Sequence, residues 1–266
     1  MHRPIVLLED SEKRKRLSVP DDIRHRLSTF GYCYLQENGY FNDDPSDSEG
    51  FTPWYTYPAI SFLKDILDSE HKVFEYGSGY STLFFKNKVA ELYTVEHDSE
   101  WAKKLIEHRN DLEIHVVPEG AGVHPLALEK VKIFAEEFPT YRSNNKEHDT
   151  MHGLNNVDFL GYASEIYEKP HGYFDIIVVD GMARALSAFL AAEMIKEDGI
   201  IILDNSDRWH YNTTQEYLIN EGFGRIDFWG PGHENAYAWC TSFFSRSFKI
   251  KNQKVLRPVK QGPIFT

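Results

Sequence analysis

Val73-Phe74-Glu75-Tyr76-Gly77-Ser78-Gly79-Tyr80-Ser81-Thr82 is the stretch whose reading decides the fold. Val73 and Phe74 have the β-branched and aromatic character of a short buried strand, which Gly77 and Gly79 then interrupt. Beyond the glycines, Leu83, Phe84, Phe85 and Val89 fall at near-helical spacing. A strand therefore runs through a glycine turn into a helix, and glycine without a Cβ lets a ligand approach the backbone there. A dinucleotide fingerprint needs a third glycine where this chain has Thr82. Glu75 at the strand tip suits a cationic ammonium better than a pyrophosphate.

Further acids fall at the ends of later strands. Glu91 to Val95 reads as a strand ending at Glu96, His97 and Asp98, with Asp98 as N-cap of a helix Ser99–His108. A carboxylate at the tip of a second strand can accept both hydroxyl hydrogens of a ribose, which assigns Glu96 to a nucleoside. Leu112 to Val117 reads as a third strand, and the nearly all-apolar Phe174 to Asp180 as a central one covered on both faces. A helix Ala183–Lys196, a turn at Asp198-Gly199 and a strand Ile200–Leu203 follow, ending at Asp204-Asn205. In a parallel sheet all carboxyl ends point one way, so Glu75, Glu96, Asp180 and Asp204 should converge on one crevice. After a helix Thr213–Asn220, the strands Gly224–Phe228 and Trp239–Phe244 are joined too closely for a helical crossover, so they must be antiparallel.

Glu75, Gly77 and Gly79, with Glu96 downstream, resemble the first motifs of class I S-adenosylmethionine-dependent methyltransferases. The resemblance spans roughly Phe51 to Arg246. It implies an α/β, Rossmann-like, seven-stranded methyltransferase sheet with an antiparallel last strand and helices on both faces. It also implies S-adenosyl-L-methionine as cofactor, held by Tyr57, Glu75, Gly77, Ser78, Gly79, Ser81, Glu96, His97 and Asp180. Tyr57 is preferred to Trp54 as the ligand-touching aromatic, because the helix Ala59–Leu67 leads straight to the glycine loop. Asp180 with Asp204-Asn205 is similar to the divalent-metal site of catechol and caffeoyl-coenzyme A O-methyltransferases, which would make these three residues ligands for Mg2+. Those enzymes place a lysine three residues beyond the first acid; here that residue is Ala183, followed by Arg184. Asp180, Arg184 and the loop histidine His210 are the catalytic candidates, Arg184 either holding an acceptor or pairing with Asp180. The expected reaction is O-methylation of a small polar molecule or saccharide. N-methylation without metal and nicotinamide-dependent oxidoreduction are the alternatives.

The chain has 266 residues, enough for one α/β domain with additions, and 41 acidic against 29 basic residues give a net charge of −12. That balance opposes a polyanionic partner, so no nucleic-acid partner is expected. Cys33 and Cys240 have no metal-ligand spacing and suggest no disulfide framework. No apolar run reaches membrane-spanning length, so the expectation is a cytoplasmic protein without a membrane partner, with homo-oligomerisation left open. Residues 1–50 read as an N-terminal extension or flap, 51–248 as the methyltransferase domain, and 249–266 as a basic tail. Within the domain, the long connection at about 120–172 is the expected acceptor-binding insertion, and its scattered histidines, His124, His148, His152 and His171, give no metal spacing.

Overall fold

The computed structural model describes residues 51–137, 159–208, 211–230, 232 and 238–250. The expected extension, most of the tail, the middle of the insertion and His210 lie outside them. Helix α1 (Tyr57–Ile66) starts with Pro58 in its first turn, where a missing N–H costs nothing. Strand β1 (Lys72–Tyr76) passes through the glycine turn into the short helix α2 (Tyr80–Phe85). Strand β2 (Glu91–Glu96) leads to helix α3 (Ser99–His108), whose Asp98 side chain accepts from the backbone N–H groups of Glu100 and Trp101 as an N-cap should. Strand β3 is Ile114–Val116, shorter than its apolar run suggested. A 3-10 turn (Pro125–Ala127) then precedes helix α4 (Leu128–Glu137). Helix α5 (Leu160–Ser164) continues as a 3-10 turn to Glu168.

Strand β4 (Phe174–Val179), helix α6 (Arg184–Met194) and strand β5 (Ile195–Leu203) complete the parallel part of the sheet. Asp198 and Gly199 do not turn the chain. Phe174 faces Ile195 while Ile176 faces Ile200, so the residues between them bulge out of one continuous strand. Helix α7 (Asn212–Asn220) precedes strands β6 (Gly224–Gly230) and β7 (Trp239–Ser245). The seven strands lie in the order β3-β2-β1-β4-β5-β7-β6. Strand β7 runs antiparallel to both β5 and β6, as the short β6–β7 connection requires.

Two apolar cores lie on opposite faces of this sheet. Phe74, Tyr76, Ile177, Val179, Ile201 and Leu203 face α5 and α6, whereas Val73, Ile176, Val178, Ile202 and Phe243 face α1 and α2. Strand side chains alternate, so Glu75 shares the second face with Val73. The register then sets Glu75, Thr94, Val178 and Ile202 in one row across β1, β2, β4 and β5. Two residues further on, the same face carries Gly77, Glu96, Asp180 and Asp204. The acidic strand tips thus share one face of the sheet, on the side of α1 and α2, with Glu75 one row below Glu96, Asp180 and Asp204.

The row is tightly packed where β1 and β4 end. Gly77 has φ +88°, and a Cβ on it would stand 2.7 Å from the Gly181 Cα. A Cβ on Gly181 would collide with the Tyr162 hydroxyl and the backbone of Gly77. Gly181→Ala is therefore expected to cost at least about 2 kcal/mol of unfolding free energy, measured by urea denaturation. Adding Tyr162→Phe, which removes one colliding atom, should recover part of that loss.

Candidate functional site

The crest of the sheet opens into a cavity of about 320 Å³ lined by the loop Gly77 to Ser81, by Trp54 and Trp101, and by Asp180, Arg184, Asp204, Asn205 and Arg208. Thr82, at the position where a dinucleotide motif has glycine, shapes the loop. Its hydroxyl accepts from Gly79 N at 2.8 Å and donates to Glu75 Oε2 at 2.6 Å. Thr94 donates to the same oxygen at 3.0 Å. Glu75 is therefore wholly buried beneath the loop rather than at its surface. Its Oε1 has no hydrogen-bond partner among the described residues, and the buried Tyr55 hydroxyl lacks one as well. Burial raises the Glu75 carboxyl to about 7, against the neighbouring hydroxyls of Ser81, Thr82 and Thr94 that hold it down.

Glu96, at the tip of β2, is enclosed by donors. Its Oε2 accepts from Ser78 N and Ser78 Oγ, each at 2.8 Å, and its Oε1 from the N–H groups of His97 at 2.8 Å and Asp98 at 3.0 Å. His97 Nδ1 lies 2.7 Å from the same Oε1. Burial pushes the Glu96 pKa upward, but these donors outweigh it and hold the group below its usual value. The bond to Glu96 raises His97 in turn. Trp101 closes the loop from outside, donating from Nε1 to Ser78 O at 2.8 Å.

Asp180 and Asp204 stand on the opposite side of the cavity, at the ends of β4 and β5. Arg184, the first residue of α6, lies between them. Its Nη2 is 2.8 Å from Asp180 Oδ1 and also donates to Asp180 O at 2.9 Å. Its Nη1 donates to Asp204 O at 3.0 Å and Asn205 Oδ1 at 3.2 Å, and its Nε to Gly181 O at 3.0 Å. Asp204 Oδ1 accepts from Thr241 Oγ1 at 2.6 Å and Trp239 Nε1 at 3.0 Å. Burial and then the charge of Asp180 raise Asp204 to about 7, with Arg184, Thr241 and Trp239 acting against them. Burial also raises Asp180, opposed by Arg184 and Arg208. Two residues here have backbones in the left-handed region, Ala183 at φ 47° and Asn205 at φ 52°; such strain persists where surrounding contacts over-determine it.

Gly77, Ser78, Gly79, Ser81, Asp180, Arg184, Asp204 and Asn205 line the cavity, whereas Glu75, Glu96 and His97, also expected at the cofactor, are not among its lining residues. Nor is Tyr57: it is 4% exposed and packs in the core beside Ile60 and Leu63, because as the first residue of α1 it faces the sheet. Trp54 takes the rim instead, stacked on Tyr80 with ring centroids 5.2 Å apart. The expected Mg2+ does not fit the side chains present. Asp180 and Asn205 direct their oxygens at a guanidinium, and Asp204 Oδ1 is held by Trp239 and Thr241. Among the described residues no group of three or more His, Cys, Asp or Glu is arranged to hold a metal ion. Tyr55, Tyr80 and Trp101 were not singled out from the sequence, though the aromatic density of Pro53 to Pro58 and one tryptophan on an otherwise polar helix were available signals.

No protein-family model and no curated protein matches the chain. Solved structures of similar outline include a methyltransferase-like protein from Silicibacter pomeroyi, 18% identical with a TM-score of 0.40, the match covering 71% of this chain and 86% of that one. Another is precorrin-6y C5,15-methyltransferase from Geobacter metallireducens, at 12% identity and a TM-score of 0.43, covering 71% and 87%. The spermidine synthase of Thermotoga maritima is also similar, at 12% identity and a TM-score of 0.37, covering 67% and 54%. At such identities the chemistry has to be read from the side chains of this cavity.

Proposed function

We propose that the chain is an S-adenosylmethionine-dependent methyltransferase acting on a hydroxyl of a small polar molecule or saccharide. The observation that carries this reading is the cluster of acids at the strand ends. Three carboxyls, Glu75, Asp180 and Asp204, lie under or beside the cavity, and both Glu75 and Asp204 hold their protons up to about 7. Arg184 compensates Asp180, but the contacts of Glu75 bring no positive charge, and a cationic ligand would supply it. The orphaned Glu75 Oε1 fits the same need. Glu96 stands at the other end of the loop as an acceptor for a diol. Of its present donors, Ser78 Oγ and His97 Nδ1 are on side chains that can turn aside, leaving the backbone N–H groups in place. A ligand with a cation near one end and a ribose at the other matches both features. When bound, S-adenosylmethionine supplies an electrophilic methyl group.

The chain's own residues would hold and orient the two partners and take up a proton. A neutral hydroxyl must lose its proton on methylation, and a base works best with a pKa near the working pH. Asp204, raised to about 7 and lining the cavity, meets that condition. Trp54 and Tyr80, stacked on one another, give the cavity an aromatic wall of the kind against which a sugar ring packs. This supports a saccharide-like acceptor, and the net charge of −12 opposes a nucleic-acid partner. Among the described residues no helix is long and apolar enough to cross a membrane.

Two measurements test the reading. Calorimetric titration with S-adenosylhomocysteine should show binding that Glu96→Gln weakens by about 1.5–3 kcal/mol, the range for a hydrogen bond to a charged group. Unchanged affinity would remove Glu96 from the nucleoside site. The second concerns pH. The folded-state pKa of Glu75 lies above the ordinary glutamate value of 4.5, so the folded protein holds this proton more tightly than the unfolded chain does. Stability from this group is full below about 4.5 and is lost as pH rises towards 7. A cationic ligand favours the ionised form, so S-adenosylmethionine should bind more tightly at pH 8 than at about pH 6. Titrations near pH 7 in buffers of different ionisation enthalpy should then show proton release. Equal affinity at both pH values would contradict the role given to the buried acids.

A further inference from the structure

We infer that the Arg184 guanidinium occupies the place of a divalent cation at the crest of β4 and β5, so that this site carries its own fixed positive charge and excludes a metal ion. The inference deepens the proposed function, because it concerns the acceptor side of the same cavity. It rests on five contacts. Arg184 reaches Asp180 Oδ1 at 2.8 Å, Asp180 O at 2.9 Å, Gly181 O and Asp204 O at 3.0 Å, and Asn205 Oδ1 at 3.2 Å. Every partner is an oxygen, two from side chains and three from the ends of the two strands. This is the donor set a hard cation would use, and the guanidinium fills it.

Magnesium needs near-octahedral oxygens at about 2.0–2.1 Å. A planar fork drawing the same oxygens to hydrogen-bond distance leaves no room for such a shell, and its permanent charge repels a second cation. Burial disfavours the charge on Arg184, but Asp180, Tyr211, Asp204 and Tyr162 outweigh it, so the group stays ionised. The backbone fixes the geometry. Ala183, in the left-handed region, brings Arg184 back over the end of its own strand, and Asn205, likewise left-handed, turns its amide towards the guanidinium. Trp239 and Thr241 hold Asp204 Oδ1, so that oxygen does not swing over to recruit a metal. Arg184 is a positioning residue: it sets Asp180 and Asn205 at the cavity wall.

The test is manganese binding by the full chain, followed by electron paramagnetic resonance, with thermal unfolding in millimolar MgCl2 as a second readout. Neither needs the methyl donor, so failure here and failure of the methyltransferase reading are separable. The wild type and Arg184→Lys, which keeps a cation, should bind no Mn2+ saturably and show no magnesium-dependent rise in Tm. Arg184→Ala frees the oxygens and should gain one saturable Mn2+ site and a higher Tm in magnesium. Both gains should be lost when Asp180→Asn is added. Should Arg184→Ala not fold, Arg184→Gln, similar in shape and neutral, carries the same expectation. A saturable Mn2+ site in the wild type that Asp180→Asn abolishes would overturn the inference. So would the absence of any metal gain in a folded, neutral Arg184 variant.

Discussion

The buried carboxylate of Glu75 is the constraint on which the rest of the crest depends. It sits on the inner side of β1 with no exposure, and its Oε2 accepts hydrogen bonds from the hydroxyls of Thr82 of α2 and Thr94 of β2. Thr82 in turn accepts from Gly79, so one carboxylate ties strand, loop, helix and neighbouring strand together. Burying an acid is costly unless it is paired or protonated. Here the cost appears as a pKa near 7 and an oxygen without a partner. A fold that accepts this cost holds a charge in reserve for something that brings the opposite sign.

The two halves of the crest solve the charge problem differently. On the β1–β2 side, Glu96 is kept ionised by five donors, three of them backbone N–H groups fixed by the turn. On the β4–β5 side, an internal guanidinium compensates Asp180, while Asp204 retains its proton until about 7. Behind the glycine loop the crest therefore holds an acceptor of hydrogen bonds, and on the β4–β5 side a group that can exchange a proton. That division suits a two-substrate transfer in which one partner is held by its hydroxyls and the other gives up a proton.

Much of this was legible in the chain. The strand–glycine–helix order at Val73 to Phe85, the N-cap at Asp98 and the antiparallel pair at the C-terminus follow from local spacing and loop length. The row of acids was legible for the same reason, since parallel strands point their ends one way. Less was legible where the pattern was irregular. Asp198-Gly199 looks like a turn, yet the pairing of β4 with β5 absorbs it as a bulge. Tyr57 and Trp54 lie three residues apart, and which of them faces the sheet depends on where α1 begins.

By itself the sequence determined the order of the elements, the acidic strand tips and the edge of the sheet at which they meet, because these depend on periodicity, capping and connection length. The tertiary structure alone decided what fills the space between those acids. Whether Arg184 projects towards a substrate or folds back among Asp180, Asp204 and Asn205 turns on two left-handed residues that are not glycines, Ala183 and Asn205. Their conformation is imposed by contacts between strands distant in the chain, which no local pattern encodes. The same residues that read as a metal site in one dimension form, in three, a site that contains its own cation.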